Sequence, residues 1–385
     1  MRRKITMYRT RTRHRNGSQS QLATCCQRFS RQLLAVAAIL VLGGCASKPL
    51  MPYTTDTTPL VLAPAIQSDK QDKRGRFREI FCAVLEARKD SVPDYRPCDE
   101  ALTTVGNELP GTGKPVNLGP SQGRLVTLFV AGVGWNCFSD WLELKNTIQT
   151  HVSQFGYDVA ALSVDSLSSS THNARQIRDA IIAMPQEGTP PDLVLIGYSK
   201  GAPDILEAVV NHPEIQDRVA AVVSIAGSVG GSPLANDATQ SQLNMLQHFP
   251  GAKCQPGDEG ALESMRPATR KAWLAENPLP EGIPYYSLIT FPEPGRISSL
   301  LRGTYRKLGR VDARNDSQVI FYDQFIPDSA LVGYLNADHW APAVPIARTH
   351  NIVGEVLVDQ NAYPREALYE ALLRFIEEDL QSAGN

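Results

Sequence analysis

The stretch of sequence that decides the fold runs from Asp192 to Gly201 and reads DLVLIGYSKG. After its first residue, Asp192–Ile196 is apolar, as expected of a short strand that is buried in a sheet. Ala202–Val210 follows with helical character, and Pro203 stands in its first turn, where proline is tolerated. The stretch therefore predicts a strand, a tight turn and a helix in direct succession.

The turn places a serine between two glycines, in Gly197-Tyr198-Ser199-Lys200-Gly201. Such a GxSxG pattern occurs by chance about 0.1 times in a chain of this length, so its position after a strand carries the argument. A side chain at Gly197 or Gly201 would clash with a neighbouring strand or helix. The turn lifts the Ser199 hydroxyl out of the sheet and points the helix amino terminus at developing negative charge. These features predict a nucleophilic serine.

On both sides of this stretch, apolar strands alternate with amphipathic helices. Leu125–Ala131 is a continuous apolar run, typical of a strand buried on both faces. The other predicted strands are Tyr157–Val164, Val219–Ile225, Pro284–Phe291 and Leu331–Leu335. Three of the predicted helices are Arg76–Arg88, Ala174–Met184 and Pro364–Leu380. A further predicted helix ends at Gly156, and its apolar face carries Trp141, Leu144, Ile148, Val152 and Phe155. The alternation predicts an α/β fold whose parallel sheet binds ligands beyond the carboxyl ends of its strands.

Over roughly residues 120–380 the sequence resembles the α/β-hydrolase superfamily. The resemblance implies an α/β-hydrolase fold, in which a mostly parallel central sheet carries helices on both faces, with residues 232–282 as a small cap-like insertion. It implies that Ser199 is the nucleophile and that its base follows the last strand, where His339 stands in NADHW. The other histidines lie in the amino-terminal segment, in helices or in loops at unsuitable places: His14, His151, His172, His212, His248 and His350.

The acid that orients the histidine should lie between Ser199 and His339. Asp316, in NDSQV, resembles the superfamily's acid turn, with an apolar residue three positions later. Its distance from the strand that ends at Phe291 is unusually long, so Asp312, Asp323 and Glu293 remain alternatives. Asp338 is adjacent to His339 and is expected to point elsewhere.

The resemblance also implies two backbone donors for an oxyanion. One is the amide of Lys200, and the other is the amide of Val133 or Gly134, in the GVGW segment after the first strand. This segment lacks the His-Gly start that is common in lipases. Trp135 and Tyr198 either line the acyl pocket or pack as ordinary side chains. The Lys200 side chain is expected to be solvated or packed on the turn rather than catalytic.

The amino-terminal segment differs from the rest of the chain in charge. Residues 1–44 hold nine of the 38 basic residues and none of the 40 acidic ones, which leaves the remainder with a balance of −11. Leu33–Leu42 is an apolar run too short to span a bilayer, and it follows basic residues as in a secretory signal. Leu42-Gly43-Gly44-Cys45 resembles the bacterial lipobox, which implies lipid on Cys45.

These features predict three segments: a signal peptide over residues 1–44, a flexible tether over 45–73 and a hydrolase domain over 74–385. The residues after Cys45 imply outer-membrane sorting, so we expect a lipid-anchored protein of the bacterial cell envelope, facing the periplasm.

Four of the seven cysteines remain after the signal and the lipidation site are set aside: Cys82, Cys98, Cys137 and Cys254. An even number in an oxidising compartment allows disulfides, and three pairings are possible. Cys82–Cys98 would be local, whereas Cys137–Cys254 would join a loop to the insertion; four free thiols are the alternative. No cysteine or histidine pattern suggests a metal site.

The sequence thus predicts a serine hydrolase that cleaves carboxylic esters through an acyl-enzyme and needs no metal or organic cofactor. Small-molecule or lipid esters are the expected substrates, and the membrane is reached through the lipid anchor. A balance of −11 would repel phosphate backbones, so no nucleic-acid partner is expected. Thioesterase or peptidase activity on the same residues, or an inactive envelope scaffold, are the alternatives.

Overall fold

Six parallel strands form one sheet in the computed structural model, in the order β2-β1-β3-β4-β5-β6. The structure describes residues 50–55, 72–123, 125–138, 147–185, 192–247, 252, 253, 255 and 257–383. The strands are β1 Leu125–Val130, β2 Asp158–Leu162, β3 Asp192–Tyr198, β4 Val219–Ile225, β5 Tyr285–Thr290 and β6 Ala330–Leu335. The predicted parallel sheet and the α/β-hydrolase fold are confirmed.

Helices cover both faces of this sheet. The longest described ones are α1 Arg74–Arg88, α5 Ser170–Ala183, α6 Gly201–Asn211 and α14 Arg365–Ala383. The shorter ones are α2 Cys98–Ala101, α3 Trp135–Phe138, α4 Thr147–Ser153, α7 Leu234–Asp237, α8 Gln240–Gln247, α9 Ala261–Met265, α10 Pro267–Glu276, α11 Arg302–Leu308, α12 Ile346–Thr349 and α13 Asn351–Val356. Single 3-10 turns span Pro213–Arg218, Pro294–Arg296, Ser299–Leu301 and Phe321–Gln324.

The central strand β3 shows why the sheet needs two helical layers. All of its residues after Asp192 are buried, and successive side chains point to opposite faces. Leu193 and Leu195 join the apolar cluster that contains residues of α5 and α6, whereas Val194 and Ile196 join the cluster with residues of α1 and α14. A strand that is apolar at consecutive positions is therefore satisfied only between two layers.

The strand register brings the carboxyl ends of the central strands to one edge. Val130 of β1 pairs with Gly197 of β3, and Tyr198 pairs with Ile225 at the end of β4. Further along the sheet, Thr290 of β5 pairs with Leu335 of β6. The loops after these strands therefore share one edge, where the superfamily resemblance places the chemistry.

Most predicted elements agree with the structure to within a few residues, and the strand Val219–Ile225 has the predicted bounds. The largest shift is at α5, which starts at Ser170 because the side chain of Ser169 accepts the backbone amide of His172 as an N-cap. Of the predicted helix that ends at Gly156, residues 147–153 are described as α4, whereas Trp141 and Leu144 lie outside the described residues. Gly156 itself has φ +78°, which favours glycine.

The predicted insertion over residues 232–282 contains the short helices α7 to α10, between β4 and β5. The predicted signal peptide, Cys45 and most of the predicted tether lie outside the described residues. No helix in the described part of the chain is both long and apolar enough to cross a membrane.

A disulfide joins Cys82 of α1 to Cys98 of α2, with the two Cα atoms 5.2 Å apart. This is the local pairing among the possibilities left open by the sequence. Cys137 is also disulfide-bonded. The backbone amide of Lys253 donates to the carbonyl of Cys137 at 3.3 Å, so the residue before Cys254 lies beside Cys137. The Cys137–Cys254 pairing stays a prediction.

Candidate active site

Ser199 lies in the turn between β3 and α6, with φ +56°. This left-handed conformation is costly for a serine, and the surroundings hold it in place. The Ser199 amide donates to the carbonyl of Ile225 at 3.1 Å, and its own carbonyl accepts the amide of Ala202 at 3.2 Å. The flanking glycines are required as predicted. A Cβ at Gly197 would lie 2.5 Å from the Ala202 backbone, and one at Gly201 would lie 2.0 Å from the carbonyl oxygen of Val130.

His339 links the serine to Asp316. Its Nε2 lies 2.9 Å from Ser199 Oγ, and its Nδ1 lies 2.7 Å from Asp316 Oδ2. The backbone repeats the second contact, because the His339 amide donates to the Asp316 carbonyl at 2.9 Å. The Tyr198 hydroxyl donates to the His339 carbonyl at 2.6 Å. Two of these contacts hold the ring and two hold the His339 backbone, and a donor bond from Nδ1 leaves Nε2 as the proton acceptor that faces the serine.

Asp316 is fully buried and accepts donors on both carboxylate oxygens. Oδ1 accepts the amides of Gln318 at 2.8 Å and Val319 at 2.7 Å. Oδ2, which also contacts His339, accepts the hydroxyl of Thr290 at 2.5 Å and the Gln324 side-chain amide at 3.3 Å. Donors of this kind stabilise an ionised carboxylate away from water. Thr290 and Gln324 were not predicted from the sequence, although Thr290 is recognisable as the last residue of β5.

The other candidate acids point elsewhere. Asp312 forms a two-bond ion pair with Arg314, at 2.9 and 2.7 Å. Within the described residues, the Asp323 carboxylate has one ion partner, the Lys271 ammonium at 3.5 Å, and burial raises the pKa of Asp323 to about 6. Glu293 is exposed.

Asp338 turns away from the adjacent His339 ring, as expected. Its carboxylate accepts the amides of Ser298 at 3.0 Å, Trp340 at 3.1 Å and Ala341 at 3.0 Å. Burial raises the pKa of this carboxyl, and the amides oppose the rise. Asp338 therefore holds the loop that carries His339.

The segment after β1 passes directly over the serine. A Cβ on Gly132 would lie 2.6 Å from Ser199 Cβ, 2.9 Å from Ser199 Oγ and 3.4 Å from the Lys200 amide nitrogen. Only glycine fits at this approach, which sequence reasoning did not single out. The amides of Val133, Gly134 and Lys200 donate to no other group in the described part of the chain. Lys200 directly follows Ser199, and Val133 and Gly134 directly follow Gly132, so these three amides are the candidate donors of an oxyanion site.

The Lys200 side chain is packed rather than solvated. It is 1% exposed, and its Nζ contacts both oxygens of Asp204, at 2.7 and 3.0 Å. The sequence left both placements open, and the carboxylate one helical turn later explains the buried one, since a buried ammonium needs an ion partner.

Tyr198 and Trp135 differ in their surroundings. Tyr198 is 3% exposed and stacks on Phe129 with ring centroids 6.4 Å apart. Its ring also contacts the His339 ring. It is a core side chain. Trp135 is half-buried, and its ring centroid lies 6.4 Å from that of Tyr198, so Trp135 remains the candidate for the pocket wall.

Two of the other histidines contact carboxylates that are not part of this arrangement. His151 contacts Glu370 at 2.7 Å, and His172 contacts Asp165 at 3.0 Å. In the described ranges no group of three or more His, Cys, Asp or Glu side chains is arranged to hold a metal ion.

Comparison with known proteins supports this reading of the fold. No family model and no curated protein matches the chain. Among solved structures, it is similar to the metagenomic carboxyl esterase MGS0156, with 36% identity, 84% of this chain and 97% of that chain covered, and a TM-score of 0.76. The Bacillus licheniformis lipase BlEst2 in mature form matches at 19% identity over 63% of this chain and 95% of that one, with a TM-score of 0.47. The chain therefore belongs to the carboxylic-ester hydrolases of the α/β-hydrolase superfamily.

Proposed function

We propose that this enzyme cleaves carboxylic esters through Ser199, His339 and Asp316, with a covalent acyl-enzyme on Ser199. The observation that carries the proposal is the unbroken pair of contacts from Ser199 Oγ to His339 at 2.9 Å and from His339 to Asp316 at 2.7 Å. A serine hydroxyl is a weak nucleophile until a base takes its proton.

In the first half of the reaction, Ser199 Oγ attacks the ester carbonyl carbon while His339 Nε2 takes the hydroxyl proton. The tetrahedral oxyanion accepts the amide of Lys200 and that of Val133 or Gly134, each donor contributing about 3–4 kcal/mol. As the carbon–oxygen bond breaks, the imidazolium gives its proton to the departing alcohol. Asp316 stays ionised and stabilises the imidazolium.

In the second half, His339 takes a proton from a water molecule, and the resulting hydroxide attacks the acyl carbon. Collapse of the second tetrahedral intermediate releases the carboxylic acid, and the proton returns to Ser199. Every proton moves through one ring nitrogen, which is why the fixed orientation of His339 matters for both halves.

The proposal includes a place of action. The lipobox-like sequence before Cys45 supports lipidation and export to the bacterial envelope, where the enzyme would face the periplasm. A membrane anchor brings the enzyme to lipid esters, so we propose lipid or phospholipid esters as its substrates. Thioesters and peptides are the competing substrate classes, because the same three residues serve them.

A fluorophosphonate probe tests the nucleophile. We expect labelling of the protein, and its loss in Ser199→Ala together with a fall in ester hydrolysis of about 10⁴-fold or more. The matched control is Ser153→Ala, which removes the exposed hydroxyl that donates to the Thr150 carbonyl and should change neither readout. A folded Ser199→Ala protein with full esterase activity would contradict the mechanism.

The anchor and the substrate are tested separately. Cys45→Ser should abolish incorporation of labelled fatty acid and move the protein from the membrane to the soluble fraction. Comparison of kcat/KM for p-nitrophenyl esters, a thioester and a peptide substrate then ranks the substrate classes. Membrane-bound, acylated Cys45→Ser protein would contradict the anchor and leave the esterase mechanism untouched.

A further inference from the structure

Three exposed apolar side chains and two arginines form one surface, which we call the docking face: Leu50, Met51, Arg306, Arg310 and Val311. Leu50 is 80% exposed, Met51 46% and Val311 42%. Exposed large apolar residues are few in the described part of the chain, and half of them lie here. Apolar side chains that cluster in this way mark an interaction surface more often than scattered ones do.

Backbone contacts hold the two parts of the docking face together. Met51 forms a parallel bridge with Asp312, and its carbonyl accepts the amide of Ala313 at 2.9 Å. On the other part, the amide of Val311 donates to the carbonyl of Leu308, at the end of α11. Residues 50 and 51 therefore run alongside the turn that carries Arg310 and Val311.

The charge of the docking face is opposite to that of the chain as a whole after residue 44. Arg306 and Arg310 are exposed and form no ion pair with any other residue that the structure describes. The neighbouring Lys307 pairs with Asp237 at 3.0 Å, and the buried Asp312 after α11 pairs with Arg314 at 2.7 Å, so both acidic groups have other partners. The face thus joins apolar side chains to uncompensated positive charge, the combination that favours an anionic lipid surface.

The docking face lies at the edge of the sheet that carries the active site. Tyr53 packs on Phe291, directly after β5, with ring centroids 5.7 Å apart. In the other direction the chain runs from Val311 to Asp316 in five residues. The part of the face that includes Arg306, Arg310 and Val311 is therefore in one continuous segment with the proposed acid.

We propose that the docking face binds the surface of an anionic phospholipid bilayer and holds the active-site edge against it. This inference rests on the proposed anchor at Cys45, which precedes Leu50 by five residues. A fully extended chain of that length spans about 17 Å, so the membrane that holds the lipid lies within that distance of the face. The proposed anchor therefore brings a bilayer close to the docking face, and the positive charge of the arginines complements anionic lipid head groups.

The experiment measures the depth of single sites on the acylated, processed protein in vesicles that contain about 30 mol% phosphatidylglycerol. Val311→Cys is labelled with an environment-sensitive fluorophore, and quenching by nitroxide lipids reports bilayer contact. The matched sites are Ile182→Cys and Val356→Cys, which replace apolar residues that are 49% and 63% exposed elsewhere. We expect quenching at position 311 to be at least about two-fold stronger than at either control site.

Charge reversal tests the role of the arginines. Arg306→Glu with Arg310→Glu should lower quenching at position 311 to the level of the control sites, while flotation with the vesicles is retained through the anchor. Arg175→Glu with Lys89→Glu should leave it unchanged, because these exposed cations lie elsewhere, on α5 and directly after α1. The same reversal should have little effect in vesicles of phosphatidylcholine alone, since the attraction requires anionic lipid.

The outcomes separate the docking face from the proposals on which it rests. A floating protein with equal quenching at all three sites overturns the docking face and keeps the anchor. A label at position 311 that is shielded from water but not quenched by lipid also overturns it, in favour of a protein partner. A protein that does not float overturns both the anchor and the face, and ester hydrolysis in the same sample reports on the catalytic proposal independently.

Discussion

Asp316 and Asp323 lie seven residues apart in one loop, and both are buried, yet their surroundings differ. Asp316 accepts five donors: two backbone amides, a threonine hydroxyl, a glutamine amide and the His339 ring. Asp323 has the Lys271 ammonium at 3.5 Å, on a side chain that is 60% exposed. The Asp316 carboxylate is surrounded by hydrogen-bond donors, whereas the Asp323 carboxylate is removed from water with little to replace it.

The difference shows that burial by itself does not make a catalytic acid. Desolvation raises the pKa of Asp323 to about 6, because water is removed and too little replaces it. Around Asp316, fixed dipoles take the place of water and also set the direction of the carboxylate oxygens. An acid that must orient a histidine needs both effects, and Asp316 receives them from its own turn and from Thr290 and Gln324.

The greatest loss of activity is expected when Asp316 is replaced. Asp316→Asn should lower kcat by about 10⁴-fold, because an amide facing Nδ1 favours the wrong histidine tautomer and cannot stabilise the imidazolium. Asp323→Asn, the matched change in the same loop, should leave kcat within about two-fold of the wild-type value, since Asp323 is not hydrogen-bonded to the site. Steady-state kinetics on a p-nitrophenyl ester measures both.

The reverse order of these two effects would show that Asp323 is the acid in solution. Circular dichroism of both variants serves as the control for folding. A loss of activity in Asp316→Asn that accompanies loss of the folded state would not count for the mechanism, so thermal unfolding is recorded on the same samples.

The next effect concerns stability and pH. The folded-state pKa of Asp323, about 6, lies above its ordinary value of 3.8, so the folded protein binds this proton more tightly than the unfolded chain does. Stability is therefore lost as pH rises from about 4 through 6, and the full loss, about 2–3 kcal/mol, is present above that window. Asp323→Asn removes the ionisation and should be more stable than the wild type at neutral pH.

Urea unfolding of the two proteins at about pH 4 and pH 7 measures the change in their difference. Asp237→Asn is the matched control, because Asp237 is an exposed partner of a single lysine, Lys307. Its difference from the wild type should stay within about 0.5 kcal/mol at both pH values. A flat difference for Asp323→Asn as well would contradict the raised pKa.

Much of the fold could be predicted from local patterns in the sequence. The strand β3 and the turn at Ser199 follow from apolar residues at consecutive positions and from glycines whose missing side chains leave room for the neighbouring backbone. His339 follows from its position after the last strand, because the register of parallel strands brings successive strand ends to one edge.

The rest depended on contacts between distant parts of the chain. Thr290 and Gln324 are recognisable only when β5 and the loop after it are placed beside Asp316. Gly132 matters because β1 is the neighbour of β3, and a glycine in a loop gives no sign of this. The long interval between β5 and Asp316 left four acids open in the sequence, and the donors around each one separate them.

A smaller loss of activity is expected when Thr290, one of the donors to Asp316, is replaced. Thr290→Val keeps the shape of the side chain but removes the hydroxyl that donates to Asp316 Oδ2 at 2.5 Å. A hydrogen bond to a charged group contributes about 1.5–3 kcal/mol, so we expect kcat to fall about ten-fold with little change in KM. Thr290→Ser should restore most of the rate, because it returns the donor.

Thr103→Val is the control that separates catalysis from packing at this position. Thr103 follows α2 and is also buried, but its hydroxyl donates to the backbone carbonyl of Phe291, directly after β5, at 2.7 Å. It should lose a similar amount of stability, about 1 kcal/mol, at unchanged kcat. Equal loss of kcat in both valine variants would mean that β5 acts on the site through packing alone, and that the donors around Asp316 are not what distinguishes it from Asp323.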